Sequence, residues 1–258
     1  MDLGLSHKAA LVTGGSRGIG NAIAMSLAAE GCRVAICARE QKALEATAAE
    51  LRQFGQDVLA LPLDLARQEN AQKLVDESCK RFGRLDIVIN NIGGNRRGAF
   101  ETRTDEEWEE VLTLNLKAHI RVSRAAIPHL RQQAGGVIIF IASIFGREAG
   151  GEGLSIYNAT KSGVISLAKI MAAELARYNI RVNSVAPGSI RFPGGSWDKR
   201  VQQDPQGMAE FVKREIPMGR FGTVEEVANV VTFLASEKAS WVSGACVNVD
   251  GCQSRSLI

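Results

Sequence analysis

The stretch KAALVTGGSRGIGNAIAMSLA, residues 8–28, decides the fold. It begins as a short apolar run typical of a buried strand and ends with apolar residues at helical spacing. Between them lie Gly14, Gly18 and Gly20 in the spacing G-x-x-x-G-x-G. Glycines at a strand-to-helix junction let the backbone approach a phosphate, and the start of the helix supplies free N–H donors. The stretch therefore predicts a dinucleotide-binding turn, and a merely tight turn is the alternative.

Six more short apolar runs follow along the chain, separated by longer segments with helical periodicity. The runs are CRVAICA, DVLALPLD, LDIVIN, GGVIIFIAS, RVNSVAPG and ACVNVDG. Apolar strands that alternate with helices are typical of a parallel sheet covered on both faces. We predict an α/β fold with a doubly wound, Rossmann-like parallel sheet of about seven strands, in a single domain over residues 1–258.

Composition and charge argue against several classes of protein. The 258 residues are 45% hydrophobic and 23% charged, with a formal net charge of +3, which gives no support to nucleic-acid binding. No apolar run approaches the ~20 residues that a membrane span requires, and the N-terminus lacks the pattern of a secretory signal. The five cysteines predict reduced thiols in a cytoplasmic protein. His7, His119 and His129 show no relay or metal-ligand spacing, so they receive no role and no metal site is predicted.

A second informative stretch is SIYNATK, residues 155–161, in which Lys161 follows Tyr157 by four positions. In a helix the two side chains share a face, and an ammonium beside a phenol lowers the tyrosine pKa from its reference of about 10. Such a phenol could exchange a proton near neutral pH. An ordinary amphipathic helix would show the same pair, so other motifs must decide.

The motifs together resemble those of the short-chain dehydrogenase/reductase family, in the family's order and over essentially the whole chain. TGGSRGIG resembles the T-G-x-x-x-G-x-G cofactor motif, NNIGG at 90–94 resembles N-N-A-G, and VAPGSI at 185–190 resembles the P-G turn. The resemblance implies hydride transfer between a nicotinamide and a carbonyl or alcohol carbon. The catalytic residues that it implies are Asn115, Ser143, Tyr157 and Lys161.

The resemblance also implies a role for each catalytic residue. In the reducing direction Tyr157 donates its proton to the substrate oxygen, and Ser143 offers the same oxygen a second donor. Lys161 holds the tyrosine pKa down and binds the nicotinamide ribose, while Asn115 relays protons through water. Taken alone, Ser143 could be a helix cap and Asn115 a polar residue within a helix.

The end of the second strand, AICAREQ, bears on the choice of nicotinamide cofactor. An NAD-preferring site carries an acid there for the ribose 2′-hydroxyl. Here the small Ala38 leaves room for a 2′-phosphate, Arg39 follows it, and Arg17 lies inside the glycine turn. A guanidinium can bind a 2′-phosphate through paired hydrogen bonds, so these residues predict NADP(H) over NAD. The competing interpretation takes Glu40 as the ribose carboxylate, although a helix dipole also favours an acid there. Asp64 resembles the family's adenine-contacting aspartate. The predicted cofactor residues are Gly14, Ser16, Arg17, Gly18, Ile19, Gly20, Ala38, Arg39, Asp64, Leu65, Asn91, Gly93, Tyr157, Lys161, Pro187, Gly188 and Ile190.

The region after the sixth strand departs from the family pattern. Phe192 stands where the motif P-G-x-I-x-T has a threonine that holds the nicotinamide carboxamide, and Cys252 replaces the second glycine of a D-G-G turn. Residues 187–207 predict a long irregular loop. We predict a substrate lid at 190–214, and packing against another subunit is the alternative. The predicted apolar substrate pocket comprises Ile144, Phe145, Phe192, Trp197 and Phe211.

Three functions remain open. The leading one is an NADPH-dependent reductase of 3-oxoacyl thioesters or a related ketone. The others are an NAD(P)-dependent alcohol, sugar or steroid dehydrogenase working oxidatively, and a nucleotide sensor without chemistry, which would not need the catalytic set. The spacing of Tyr157 and Lys161 argues against an enoyl reductase, because that branch of the family spaces the pair more widely. The family also implies a homotetramer. An acyl-carrier protein as partner would require a basic patch near the entrance of the site. The candidates for that patch are Arg96, Arg97, Arg147 and Arg191, and the alternative is that they are ordinary solvated surface charges.

Overall fold

The computed structural model describes residues 2–257, which form a parallel seven-stranded sheet in the order β3-β2-β1-β4-β5-β6-β7. Strand order reverses between β1 and β4, as in doubly wound folds. This confirms the predicted fold, and each predicted apolar run contains one strand. The strands are β1 (Ala9–Thr13), β2 (Arg33–Ala38), β3 (Val58–Pro62), β4 (Ile87–Asn90), β5 (Gly136–Ile141), β6 (Ile180–Pro187) and β7 (Cys246–Val249).

Helices connect the strands and cover both faces of the sheet. A π-helical turn at Thr113–Lys117 joins α4 to α5 without a break. The helices are α1 (Gly18–Ala29), α2 (Gln41–Arg52), α3 (Gln68–Phe82), α4 (Asp105–Leu112), α5 (Ala118–Gln132), α6 (Ser155–Leu175), α7 (Ser196–Gln203), α8 (Pro205–Glu215) and α9 (Val224–Ala235). Within the described residues, no helix is both long and apolar enough to cross a membrane.

Two apolar cores lie on opposite faces of the sheet because successive strand side chains point to opposite faces. In β1, Ala10 and Val12 pack with α1, α2 and α9, whereas Ala9 and Leu11 pack with α3, α5 and α6. Since both faces are covered, the loops at the carboxyl ends of the strands are left to carry the functional groups.

The segment after β6 is helical, not irregular as its prolines and glycines predict. The Asp204 carboxylate caps α8 by accepting from the Gly207 N–H (2.9 Å), and Pro205 occupies the first turn, where a missing N–H costs nothing. Asp198 in α7 accepts from the Gly194 N–H (3.0 Å), which ties α7 to the preceding turn. No side chain of Pro205–Glu215 is buried. Helix α8 therefore lies on the domain without joining its core, whereas α7 buries Asp198.

Candidate active site

A crevice of about 470 Å³ runs along the carboxyl edge of the sheet, where the strand order reverses. Part of the predicted cofactor set lines it: Gly14, Ser16, Arg17, Ile19, Ala38, Arg39, Asp64, Leu65, Asn91 and Gly93. The sequence analysis missed five further residues that line the crevice: Cys37, Ala43, Leu63, Ile92 and Leu114. All of them except Ala43 are adjacent in sequence to a predicted site residue, which is the signal that could have found them.

The glycine turn at one side of the crevice is closely packed. Gly14 and Gly18 have φ values of +67° and +58°, which side-chain-bearing residues rarely adopt. A Cβ on Gly20 would overlap the Gly14 carbonyl oxygen, so only glycine lets α1 start this near to β1. The first N–H groups of α1 lie at this turn, and such groups bind anions.

The β2 end of the crevice carries Arg39 and Glu40. Glu40 is the N-cap residue of α2, where the helix dipole favours a carboxylate. Among residues 2–257, neither Arg17 nor Arg39 forms an ion pair with a carboxylate. Asp64 lies in the same wall, where its carboxylate accepts from the Ala66 N–H (3.0 Å). Two guanidinium groups are therefore available to an anion at this end.

Ser143, Tyr157 and Lys161 come together where β5 ends. The Ser143 backbone is extended and its hydroxyl accepts from the Phe145 N–H (3.2 Å), so it does cap a short 3₁₀ turn. The Ser143 hydroxyl lies close enough to the Tyr157 phenol to act on its pKa. Lys161, one turn along α6, donates from Nζ to the Ile141 carbonyl (2.8 Å).

The protonation of this group differs from the prediction that Lys161 lowers the pKa of Tyr157. Burial raises the pKa of Tyr157, and the nearby Ser143 hydroxyl opposes that rise only in part. The ammonium has little effect because Nζ is turned toward Ile141 and lies 5.7 Å from the centroid of the phenol ring. Burial also lowers the pKa of Lys161 to about 8. At neutral pH the phenol therefore keeps its proton, as a proton donor requires.

Asn115 is fully buried in the π-helical turn and links α6 to the loop after β4. Its amide donates to the Gly94 carbonyl and to Thr160 Oγ1, both at 3.0 Å, and its Oδ1 accepts from the Gly94 N–H (2.8 Å). A Cβ on Gly93 would lie 3.2 Å from Asn115 Oδ1 and 3.6 Å from Lys161 Nζ. The crevice wall at Gly93 thus adjoins the catalytic candidates.

Phe192 is not part of a common pocket with the other predicted pocket residues. Its ring lies on the glycine turn, where a Cβ on Gly18 would be 2.7 Å from the Phe192 Cζ. The Gly195 N–H donates to the Phe192 carbonyl (2.9 Å), and this turn aims the side chain into the cofactor crevice. Phe192 therefore forms one wall of that crevice.

Trp197 and Phe211 belong to a separate aromatic cluster. Their rings stack at 4.8 Å, and Phe221 lies 5.5 Å from Trp197. Ile144 and Phe145 instead follow Ser143 in the 3₁₀ turn. Phe192 and Phe221 line one cavity, so this cluster adjoins the crevice wall. Ile144 and Phe145 line neither that cavity nor the crevice, so the five predicted residues do not form one pocket.

The last three predicted cofactor residues, at the end of β6 and just after it, make contacts within the domain. Pro187 ends the strand, the Gly188 N–H donates to the Val249 carbonyl (3.0 Å), and the buried Ile190 forms a bridge with Gly222. A cofactor contact at these residues stays a prediction.

All four candidate arginines for a basic patch have partners within the chain. Arg96 and Arg191 pair with the carboxylates of Glu110 and Asp198. Arg147 donates to Asn248 Oδ1 (2.7 Å), and Arg97 donates to the Glu152 carbonyl (3.2 Å). Only the two carboxylate pairs offset positive charge, and such pairs are typical of ordinary surface arginines.

Comparison with known proteins adds relatives over almost the whole chain. A family model described as enoyl-(acyl carrier protein) reductase matches residues 14–252. The 3-oxoacyl-[acyl-carrier-protein] reductase FabG of Staphylococcus aureus is 37% identical over 249 residues, 95% of this chain and 97% of that protein. The structure of L-sorbose reductase from Gluconobacter frateurii, complexed with NADPH and L-sorbose, gives a TM-score of 0.95 at 34% identity and covers 100% of both chains. Levodione reductase gives 0.90 at 33% identity, covering 96% of this chain and 98% of that one.

Proposed function

Because this chain belongs to the short-chain dehydrogenase/reductase family of oxidoreductases, we propose that it is an NADP(H)-dependent reductase of ketones. It moves a hydride between the nicotinamide and the carbon of a carbonyl or secondary alcohol, with a 3-oxoacyl thioester or a related small ketone as substrate. The observation that carries the proposal is the cluster of Asn115, Ser143, Tyr157 and Lys161 beside the glycine-lined crevice.

The crevice fits NADP(H) in three respects. A Cβ on Gly14 would lie 3.0 Å from Asn91 Nδ2, so the turn leaves backbone where a phosphate needs it. Arg17 and Arg39 are free to hold a 2′-phosphate. The nicotinamide end of the cofactor would lie beside Gly93, Tyr157 and Lys161. When bound, the cofactor supplies the hydride, and NADPH is also the cofactor in the sorbose reductase structure.

The residues of this chain then handle the proton. Tyr157 holds it at Oη at neutral pH and gives it to the carbonyl oxygen as the adjacent carbon accepts the hydride, so that the product is an alcohol. The Ser143 hydroxyl donates a hydrogen bond to the same oxygen and stabilises its developing charge. Lys161 contributes its positive charge to the resulting phenolate, and Asn115 fixes the crevice wall through Gly94.

Hydride transfer is tested with a panel of ketones, alcohols, sugars, 3-oxoacyl thioesters and enoyl thioesters, followed by the absorbance of the reduced nicotinamide. We expect NADPH oxidation with a ketone or 3-oxoacyl thioester, and a rate about 10²–10⁴-fold lower with Tyr157→Phe. Turnover of alcohols alone would favour the oxidative dehydrogenase, and turnover of enoyl thioesters would favour the activity in the family model's description. Cofactor binding without turnover of any substrate would favour the non-catalytic nucleotide sensor.

A lid at residues 190–214 is part of the same proposal. Phe192 contacts the cofactor turn, α8 buries no side chain, and Gly194 has a φ of +72°, which supports a segment able to move as a unit. Limited proteolysis should cut between Arg191 and Arg214 and be suppressed by NADPH with a substrate analogue. Trp197 emission should shift with closure, isolated by Trp108→Phe and Trp241→Phe. Cleavage and emission indifferent to ligand would leave the segment as packing.

A homotetramer in the cytoplasm completes the proposal. The outer edge of β7 ends the sheet, and exposed apolar side chains such as Phe233 and Trp241 lie on α9 and shortly before β7. Exposed apolar patches mark interfaces between subunits. Light scattering on the purified protein would show four chains, and a monomer would exclude this assembly.

A further inference from the structure

A row of buried polar side chains, one per helical turn, holds the end of β4 and the loop after it. Asn115, His119 and Ser123 are 0%, 0% and 1% exposed. These helical residues are four apart, a rise of ~6 Å, and two residues of extended chain span a similar ~6.7 Å. Each of them therefore meets every second residue of the segment that ends β4 and follows it. Their partners, in the same order, are Gly94, Ile92 and Asn90.

The middle member of this row, His119, acts as a neutral donor. Its Nε2 lies 2.8 Å from the Ile92 carbonyl oxygen, which can only accept, so Nε2 carries the proton. Its Nδ1 is buried and has no partner within residues 2–257. Burial, and then the charge of Lys161, lower the pKa of His119 to about 3. A phenylalanine at position 119 would fill the same space and leave no buried nitrogen without a partner. Packing alone therefore does not explain why a histidine is present here.

The bond from His119 fixes the direction of the peptide between Ile92 and Gly93. No peptide bond in the described residues is cis, and in a trans peptide the carbonyl and the N–H point in opposite directions. The Gly93 N–H therefore points away from the buried imidazole. Gly93 lines the cofactor crevice, and its N–H has no hydrogen-bond partner among residues 2–257.

We infer that His119 is a positioning residue for the cofactor: it turns the Ile92–Gly93 peptide so that the Gly93 N–H faces the crevice as a donor. This inference rests on the proposed nicotinamide-binding function. Without the imidazole donor, nothing in that row would hold the Ile92 carbonyl, and the peptide could rotate to present its oxygen to the crevice instead.

The test compares three variants by NADPH dissociation constant, measured by energy transfer from tryptophan to the reduced nicotinamide. His119→Phe keeps a buried ring but loses the donor, and should weaken NADPH by about fivefold to tenfold, the value of one hydrogen bond. His119→Gln places an amide nitrogen near the Nε2 position and should restore binding to within about twofold. Ser123→Ala is the matched control, because it removes the neighbouring buried bond to Asn90, and should lower thermal stability without changing NADPH binding.

The outcomes separate this inference from the proposed function. Wild-type protein that binds neither NADPH nor NADH would overturn both. Wild-type binding with an equally tight His119→Phe, or equal weakening by Ser123→Ala, would overturn the role of His119 alone. If His119→Phe does not fold, His119→Asn replaces it, because the shorter amide cannot reach Ile92; unchanged NADPH binding by that variant would overturn the inference in the same way.

Discussion

Acid should destabilise this protein through His119 before its carboxylates matter. The pKa of this imidazole falls from 6.5 to about 3 on folding, because the ring is fully buried and the positive charge of Lys161 on α6 disfavours its protonation. As pH drops below 6.5, the unfolded chain gains a proton at this histidine while the folded protein does not. The stability is therefore complete above pH 6.5 and is lost progressively between there and pH 3.

The size of the loss follows from the two pKa values. Each pH unit is worth about 1.4 kcal/mol, so at pH 5, one and a half units below 6.5, the protein should lose about 2 kcal/mol. That is a large part of a typical free energy of unfolding of about 5–15 kcal/mol. Carboxylates such as Glu226, whose pKa is lowered to about 2, contribute mainly below pH 4.5.

Urea unfolding followed by tryptophan fluorescence at pH 7.5 and pH 5 measures this loss. The control is His119→Gln, which keeps an amide donor for the Ile92 carbonyl but cannot titrate in this range. Wild-type protein should lose about 2 kcal/mol more than the variant between the two pH values. Equal losses in both proteins would refute the assignment of the acid sensitivity to this side chain.

Three further predictions concern the proposed reaction. Tyr157→Phe should fold and bind cofactor almost normally but turn over about 10²–10⁴-fold more slowly, and a steady-state rate half that of wild type would contradict its role as donor. Because the pKa of Lys161 is about 8, ketone reduction should decline above pH 8 as the ammonium loses its proton; Lys161→Ala should be slower and lack that decline, and an unchanged pH profile would remove the lysine from the mechanism. Arg39→Asp should weaken NADPH about 10- to 100-fold and NADH far less in a fluorescence titration, since it removes charge-assisted bonds to the 2′-phosphate. Equal weakening of both cofactors would point to Glu40 and an NAD enzyme.

The sheet could be predicted from the sequence because each strand is a continuous apolar run, buried on both faces. The cofactor wall followed in part for the same reason: Gly14, Asp64 and Asn91 lie at or near strand ends, and parallel strands bring their carboxyl ends to one edge. Local chemistry was enough to place these residues.

Side-chain direction was beyond reach, because it is set by tertiary contacts. The ring of Phe192 lies on Gly18, and the ammonium of Lys161 turns to the Ile141 carbonyl, so neither the pocket nor the tyrosine pKa matched the prediction. His119, one of two histidines in helix α5, gave no spacing signal either, because its partner, Ile92, is distant in sequence. Helix α8 was missed because Pro205 and Gly207 are helix breakers in general but fit the capped first turn here.

Helix α8 has no fully buried side chain, and its Met208 and Val212 line a cavity with Phe192, whose ring lies on the glycine turn. Phe211 packs on Trp197, but the exposed positions of the helix supply nothing to the core, so substitutions there cost the fold little free energy of unfolding. Lineages carrying this architecture can therefore diverge at α8 while the sheet and glycine turn stay fixed. Mutational tolerance and proximity to substrate coincide in one segment, which makes it the natural place for evolution, or directed evolution in the laboratory, to change substrate range.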